Sequence, residues 1–139
     1  MTTIPSATFA WLPRRPTSGG AARSLLREFL AGVDGGELFA EVGMTVLTEL
    51  VNNAVQHVRA PRDCRIFVRF EMSAGLLRIE VHDPSRKLPA MRKASRDDES
   101  GRGLLLVEQL SQEWGANFRE GPVGKVVWAA LASAAGGAG

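Results

Sequence analysis

Two neighbouring segments with alternating apolar residues constrain the fold most. The segments 65–71 and 76–83 each alternate apolar with polar positions, and the apolar residues are Ile66, Val68 and Phe70 in the first and Leu77, Ile79 and Val81 in the second. Such alternation is typical of strands that bury one face. The residues between them, 72–75, form a hairpin-sized connection. The pattern therefore predicts an antiparallel hairpin with one face against a core.

The rest of the chain supplies helices and further strands. Apolar residues at helical spacing predict a helix from about Gly20, capped by Thr17 or Ser18, and a longer helix over 37–58. An aperiodic charged segment, 84–102, precedes a third predicted helix over 104–112. The segments 7–12, 116–119 and 125–131 are strand-like. This order predicts an α+β fold, a two-layer sandwich whose mixed, mostly antiparallel sheet is covered on one face by three helices.

Composition narrows the class of protein. The 139 residues fit one domain, predicted over 1–131, with a disordered Ala/Gly tail over 132–139. A formal net charge of +2 with mixed signs argues against nucleic-acid binding. The apolar runs are too short to cross a membrane. The single cysteine, Cys64, excludes an internal disulfide and makes a zinc cluster implausible, so we expect a cytoplasmic protein.

Three polar residues, Glu49, Asn53 and His57, recur every four positions along the predicted helix 37–58. Each step advances about 40° around the helix axis, so all three lie on one side. That side adjoins the main apolar arc, where a carboxylate and an amide need polar partners. A cleft with a cation and a ligand would supply them, whereas the alternative is an amphipathic helix with polar boundary residues. The residues expected to face solvent are Thr45, Thr48, Asn52 and Gln56.

Asp83 ends the second strand of the hairpin in phase with its apolar residues, so it is predicted to point inward. A buried carboxylate needs hydrogen-bond donors, and an adenine amine is one candidate. The alternative is a turn or helix cap, because Asp-Pro-Ser sequences often begin turns.

A glycine turn, Gly101-Arg102-Gly103, precedes the third predicted helix. Glycines let the backbone approach a ligand closely, and the amides at a helix start can bind an anion. Glycines before helices are common, so this turn is weak evidence by itself.

Together the three motifs, 49–57, 81–85 and 101–107, resemble the N, G1 and G2 boxes of the histidine-kinase-like ATPase (GHKL) superfamily. Within it, the chain is most similar to the stand-alone anti-sigma-factor serine/threonine kinases and related bacterial ATP-binding regulators. The resemblance covers nearly the whole chain and implies a Bergerat ATP-binding fold with a lid at about 84–102. One departure is Ser85, which stands where the G1 box normally has glycine.

The resemblance also implies residue roles and cofactors, namely ATP and Mg²⁺. Asn53 would contact the Mg²⁺ that bridges the triphosphate, Asp83 would accept from the adenine amine, and Glu49 would activate the attacking hydroxyl. The residues expected to meet the phosphates or to line the pocket are Gly101, Arg102, Gly103, Leu104, Ser85 and His57, with His57 in a packing or supporting role.

The function implied is an anti-sigma-type protein serine/threonine kinase that phosphorylates an antagonist protein resembling an anti-anti-sigma factor. A sigma factor would be a second partner, and a homodimer is possible. The alternative is a non-catalytic module that binds nucleotide and acts by sequestering its partner. A sensor histidine kinase is not expected, because no dimerising helical domain with a phospho-acceptor histidine is present in the sequence.

Overall fold

The computed structural model describes residues 6–56, 65–83, 99–118 and 124–134. Its strands are β1 (Ser6–Pro13), β2 (Arg65–Ser73), β3 (Leu76–Asp83), β4 (Glu113–Phe118) and β5 (Lys125–Ala132). Its helices are α1 (Ser18–Ala31), α2 (Ala40–Gln56) and α3 (Glu99–Leu110), and a 3-10 helix over Gly36–Phe39 leads into α2. The predicted order of helices and strands is therefore confirmed.

The five strands form one sheet in the order β1-β2-β3-β5-β4. All four described pairings are antiparallel. The predicted α+β class is confirmed, and the sheet described here contains no parallel pairing. β3 lies in the middle of the sheet with β5 as its neighbour, so the ends of these two strands are held side by side.

The β2–β3 hairpin closes more tightly than the sequence predicts. Met72 and Ser73 belong to β2, and the turn consists of Ala74 and Gly75 alone. Both have positive φ, 54° and 76°. Two-residue loops of this backbone type match the right-handed twist of paired strands. Glycine adopts such angles freely, whereas alanine does so with strain.

The start of α1 differs from the predicted cap. Thr17 occupies the N-cap position, but its side chain makes no capping hydrogen bond. The hydroxyl of Ser18 donates instead to the carbonyl of Pro13, which ties the helix start to the end of β1. The predicted apolar stripe is confirmed, with Ala22, Leu26 and Leu30 buried.

One side of α2 is not the solvent-facing side that the sequence predicts. Thr45, Thr48 and Asn52 are half-buried. Arg23 of α1 donates from Nη1 to Oγ1 of Thr48 at 3.2 Å, so α1 covers part of this side. The prediction was wrong because helical periodicity within α2 carries no information about a neighbouring helix. Gln56 ends the described part of α2.

The third helix begins at Glu99, five residues before the predicted start at Leu104. Gly101, Arg102 and Gly103 therefore lie in the first turns of α3 and not in a turn before it. Glycine lowers helix propensity, which is why the sequence favoured a later start.

The core lies between the helices and one face of the sheet. It is filled by apolar residues of α1, α2, α3 and alternate positions of the strands, including Leu47, Leu50, Val68, Phe70, Ile79, Val127 and Leu131. We call this the helix-covered face and the opposite side of the sheet the open face. No described helix is long and apolar enough to cross a membrane.

Candidate active site

Asp83 is the last residue of β3 and lies on the helix-covered face. Leu77, Ile79 and Val81 precede it at alternate positions and are all buried, and Asp83 itself is only 3% exposed. Its inward orientation was predicted from this alternation. A carboxylate taken out of water requires charged or hydrogen-bonding partners.

Lys125, the first residue of β5, is such a partner. It pairs with Asp83 in the antiparallel register of β3 and β5. Its Nζ lies 3.8 Å from Oδ2 of Asp83, and the lysine is 1% exposed. Sequence reasoning missed this residue, although Lys125 is in phase with Val127 and Ala129, both of which are buried. The alternation that identified Asp83 would have identified Lys125 on β5.

Asn53 and Glu49 extend the candidate site onto α2, which packs against α3, β3 and β5. Asn53 is 7% exposed, so its amide is buried as the sequence predicts for a residue at the edge of the core. Glu49, one turn earlier, is half-buried. The intervening core side chain Leu50 is buried, which places this stretch of α2 firmly on the sheet. His57 lies outside the described residues.

The first turns of α3 hold the glycine motif. In an α-helix the amides of the first turn have no acceptor within the helix, and Gly101 and Arg102 lie near the described start of α3. Leu104 is 3% exposed and its side chain belongs to the interior. The predicted contact of Leu104 with the phosphates stays a prediction, and a contact through its amide would compete with the hydrogen bonding of the helix itself. Ser85 and most of the predicted lid, 84–98, lie outside the described residues.

The sequence profile described as a histidine kinase-like ATPase domain matches residues 12–131. This match covers the strands from β2 to β5 apart from the last residue of β5, the end of β1, all three helices and every candidate site residue. The chain belongs to the histidine kinase-like ATPase family. Comparison with curated protein sequences gives no significant match.

One solved structure shares the fold of this chain. The crystal structure of the RsbU and RsbW domains of a Mycobacterium tuberculosis protein superposes with a TM-score of 0.66 at 22% identity, over 92% of this chain. This chain spans 32% of that longer protein, so the likeness concerns one part of it. A histidine kinase domain from Erythrobacter litoralis gives a TM-score of 0.48 at 20% identity, covering 86% of this chain and 60% of that one.

The residues of this histidine kinase-like ATPase domain fit a magnesium nucleotide. Asn53 would offer an amide oxygen, a hard ligand of the type that Mg²⁺ binds, and Asp83 would offer acceptor oxygens to the amino group of the base. The described residues contain no cluster of three or more His, Cys, Asp or Glu that could hold a metal by themselves. That agrees with Mg²⁺ chemistry, since this ion usually keeps water and substrate phosphates as ligands and takes one or two from the protein.

A cavity of about 640 Å³ lies elsewhere, at the opposite ends of α2 and β5. Its walls include Leu38, Val42, Leu110 and Ala132. Lys125 and Ala132 are seven residues apart on β5, which corresponds to about 24 Å along an extended strand. This cavity is therefore separate from the Asp83 end of the sheet.

The open face carries a second group of charges that sequence reasoning also missed. Glu80 accepts a hydrogen bond from Nε of Arg78 at 2.8 Å and lies 2.9 Å from Nε2 of His82, while Arg69 on β2 approaches to 3.8 Å. The hydrogen bond from His82 is the main cause that lowers the pKa of Glu80 from 4.5 to about 2, and Arg78 adds to it against the opposing effect of burial. These charged residues connect β2 and β3 on the open face, on the other side of the sheet from the candidate site.

Proposed function

We propose that this domain binds ATP with Mg²⁺ beside α2, the end of β3 and the start of α3, and phosphorylates a serine or threonine of a regulatory protein. The observation that carries the proposal is the buried Asp83 carboxylate at the end of β3, within a chain of the histidine kinase-like ATPase family. Its oxygens can accept hydrogen bonds from the amino group of adenine.

Each remaining residue of the site has a place in this proposal. Asn53 would bind Mg²⁺ through its amide oxygen, and the ion would neutralise the charge of the phosphates, which is the main requirement of phosphoryl transfer. The free amides at the start of α3 and the permanent charge of Arg102 suit phosphate oxygens. The residues proposed to line the rest of the pocket are Gly101, Gly103, Leu104, Ser85 and His57.

Glu49 is the proposed general base. It would accept the proton of the attacking hydroxyl while the hydroxyl oxygen forms a bond to the γ-phosphorus. The bond from that phosphorus to the β,γ-bridging oxygen breaks, and ADP leaves with the electron pair. Its half-buried position on α2, one turn from Asn53, supports this role.

The proposed protein substrate is an antagonist that resembles an anti-anti-sigma factor, and a sigma factor is a possible second partner. We also propose a cytoplasmic location and assembly as a homodimer. No nucleic acid or membrane partner is proposed, since the net charge of +2 is mixed in sign along the chain.

The test of catalysis compares Glu49→Gln with Glu41→Gln, a control on the same helix whose residue is exposed. Proteins captured from the native cell with and without ATP are incubated with radiolabelled ATP and each variant. We expect Glu49→Gln to reduce label transfer at least about a hundredfold while the affinity for Mg-ATP changes less than about threefold. Full transfer by Glu49→Gln would exclude Glu49 as the base.

The second candidate is a non-catalytic module that binds nucleotide and sequesters its partner. Ser85 favours it, because a side chain stands where the family motif has glycine. This function would be supported if the unmodified protein bound both Mg-ATP and the partner but transferred no label. A Ser85→Gly variant that gains affinity for Mg-ATP would show that the serine narrows the pocket.

A further inference from the structure

Lys125 is a buried cation beside Asp83, the carboxylate that the proposed nucleotide site uses. The two residues face each other across neighbouring strands, with 3.8 Å between Nζ and Oδ2. Their side chains are 2% and 1% exposed. Among the described residues, Lys125 is the only buried lysine or arginine.

A lysine is almost never buried without an anionic partner, because removing an ammonium group from water costs several kcal/mol. The neighbours of Lys125 on the same face of β5, Val127 and Ala129, are apolar and buried. Asp83 is an anion that accompanies this cation into the interior. The same pairing acts on Asp83, because a neighbouring cation favours the ionised carboxylate and burial alone opposes it.

We propose that Lys125 is a positioning residue of the nucleotide site, which holds the Asp83 carboxylate ionised and fixed at the end of β3 so that the base amine meets an anion. This inference rests on the proposed function, because it assigns Asp83 to the nucleobase. Hydrogen bonds to a charged acceptor are roughly twice as strong as those to a neutral one. Lys125 therefore strengthens nucleotide binding without touching the nucleotide.

Other charged groups on the packed elements are placed differently. On β3, the charged residues Arg78, Glu80 and His82 lie on the open face, away from Asp83. On α2, α3 and β4, the acidic residues whose burial is described are exposed at Glu41, Glu108 and Glu113 and half-buried at Glu49. Among these groups Lys125 lies across the strand pairing from Asp83, with 3.8 Å between Nζ and Oδ2, so its removal should change the titration of this carboxyl.

The experiment measures the Kd of Mg-ADP by calorimetry for the wild type and Lys125→Met between pH 6 and pH 8. Without the ammonium group, burial raises the pKa of the Asp83 carboxyl, and the fraction ionised falls as the pH falls. We expect the ratio of variant to wild-type Kd to rise about tenfold from pH 8 to pH 6. Titration of the phosphates cancels in this ratio.

Two further variants separate positioning from simple stabilisation. Leu131→Ala, on the same strand and face about 20 Å away, loses stability by opening a cavity, and its Kd ratio should not depend on pH. Asp83→Asn combined with Lys125→Met removes the titrating carboxyl, so its ratio should also be independent of pH. A pH-independent ratio for Lys125→Met, or a pH-dependent one for the double variant, would overturn the inference.

A measurement on the wild type covers the case in which Lys125→Met does not fold. Carbon-13 NMR of the Asp83 carboxyl, without nucleotide, should show an ionised group down to pH 5. A titration midpoint above pH 5 would overturn the inference and leave the proposed function standing. If the wild type fails to bind Mg-ADP at all, the proposed function fails, and the assigned role of Lys125 fails with it.

Discussion

The two faces of β3 each carry a carboxylate beside cations, and they do so in opposite ways. On the helix-covered face, Asp83 and Lys125 are almost completely buried and 3.8 Å apart. On the open face, Glu80 is held by Arg78 and His82 at hydrogen-bond distances of 2.8 and 2.9 Å, with side chains that remain partly in contact with solvent.

The difference shows how burial determines the role of a charge pair. The Glu80 group combines short charge-assisted hydrogen bonds with partial contact with water at Arg78, so it stabilises the sheet. The Asp83–Lys125 pair is longer and dry, and its desolvation cost makes it a poor means of stabilisation. A costly buried pair at the end of a central strand is better explained by a site than by the needs of the fold.

The largest effect is expected when one member of the buried pair is removed. Lys125→Met should lower the free energy of unfolding by about 3–5 kcal/mol, because it removes the ammonium group beside a buried carboxylate. Denaturant unfolding at pH 7 measures it. The double variant that also carries Asp83→Asn should recover most of this loss, and the comparison would break down if the double variant were as unstable as the single one.

The charged group around Glu80 on the open face should make the free energy of unfolding depend on pH in the acid range. The pKa of Glu80 in the folded protein is about 2, below its usual value of 4.5, so the stabilisation by Glu80 is complete above pH 4.5 and is lost as the pH falls toward 2. The wild type should lose about 2–3 kcal/mol in this window beyond the loss of a Glu80→Gln variant. Denaturant unfolding at several pH values measures this difference.

The matched control is Glu113→Gln on β4, whose residue is exposed. This variant should keep the acid dependence of the wild type. An acid dependence shared by Glu80→Gln would mean that other carboxyl groups cause it.

A smaller effect is expected at Gly115 on β4. A Cβ at this position would lie 2.9 Å from the ring of Trp128, which itself stacks on Arg78 with 4.2 Å from the guanidinium carbon to the ring centroid. Gly115→Ala should therefore cost about 1–2 kcal/mol and change the fluorescence of Trp128. Gly20→Ala in α1, where the nearest atom is 3.7 Å away, should cost nothing, and an equal loss at both sites would contradict a packed open face.

The smallest effect is expected at the two-residue turn that connects β2 and β3. Ala74 has a φ of 54°, which asparagine tolerates better than alanine. Ala74→Asn should raise the free energy of unfolding by about 0.5–1 kcal/mol and leave nucleotide affinity unchanged, as thermal unfolding and calorimetry can test. Destabilisation would mean that the turn does not have the two-residue form described here.

Local patterns in the sequence predicted much of this molecule. The alternation in β3 predicted both its bounds, Leu76–Asp83, and the inward position of its last residue. The 3.6-residue period predicted the buried side of α2, including Leu47, Leu50 and Val51. These features depend on residues close in sequence, so periodicity is sufficient to find them.

Features that depend on distant residues were missed or misplaced. The pairing of Asp83 with Lys125 joins residues 42 positions apart, and the cover of Thr48 by Arg23 joins two helices. The start of α3 was predicted too late, because Gly101 and Gly103 lower helix propensity. The buried position of Lys125 could have been predicted from the sequence, because this lysine is in phase with three buried residues of β5.

The most direct test of the nucleotide site is calorimetric titration with Mg-ATP of the wild type, Asp83→Asn and Glu80→Gln. These two variants each neutralise one carboxylate on opposite faces of the same strand. We expect saturable binding by the wild type and by Glu80→Gln, and a loss of about 10- to 100-fold in affinity for Asp83→Asn, in line with a lost hydrogen bond to a charged group. No binding by the wild type, or equal affinity of the folded Asp83→Asn variant, would contradict a nucleotide site at the end of β3.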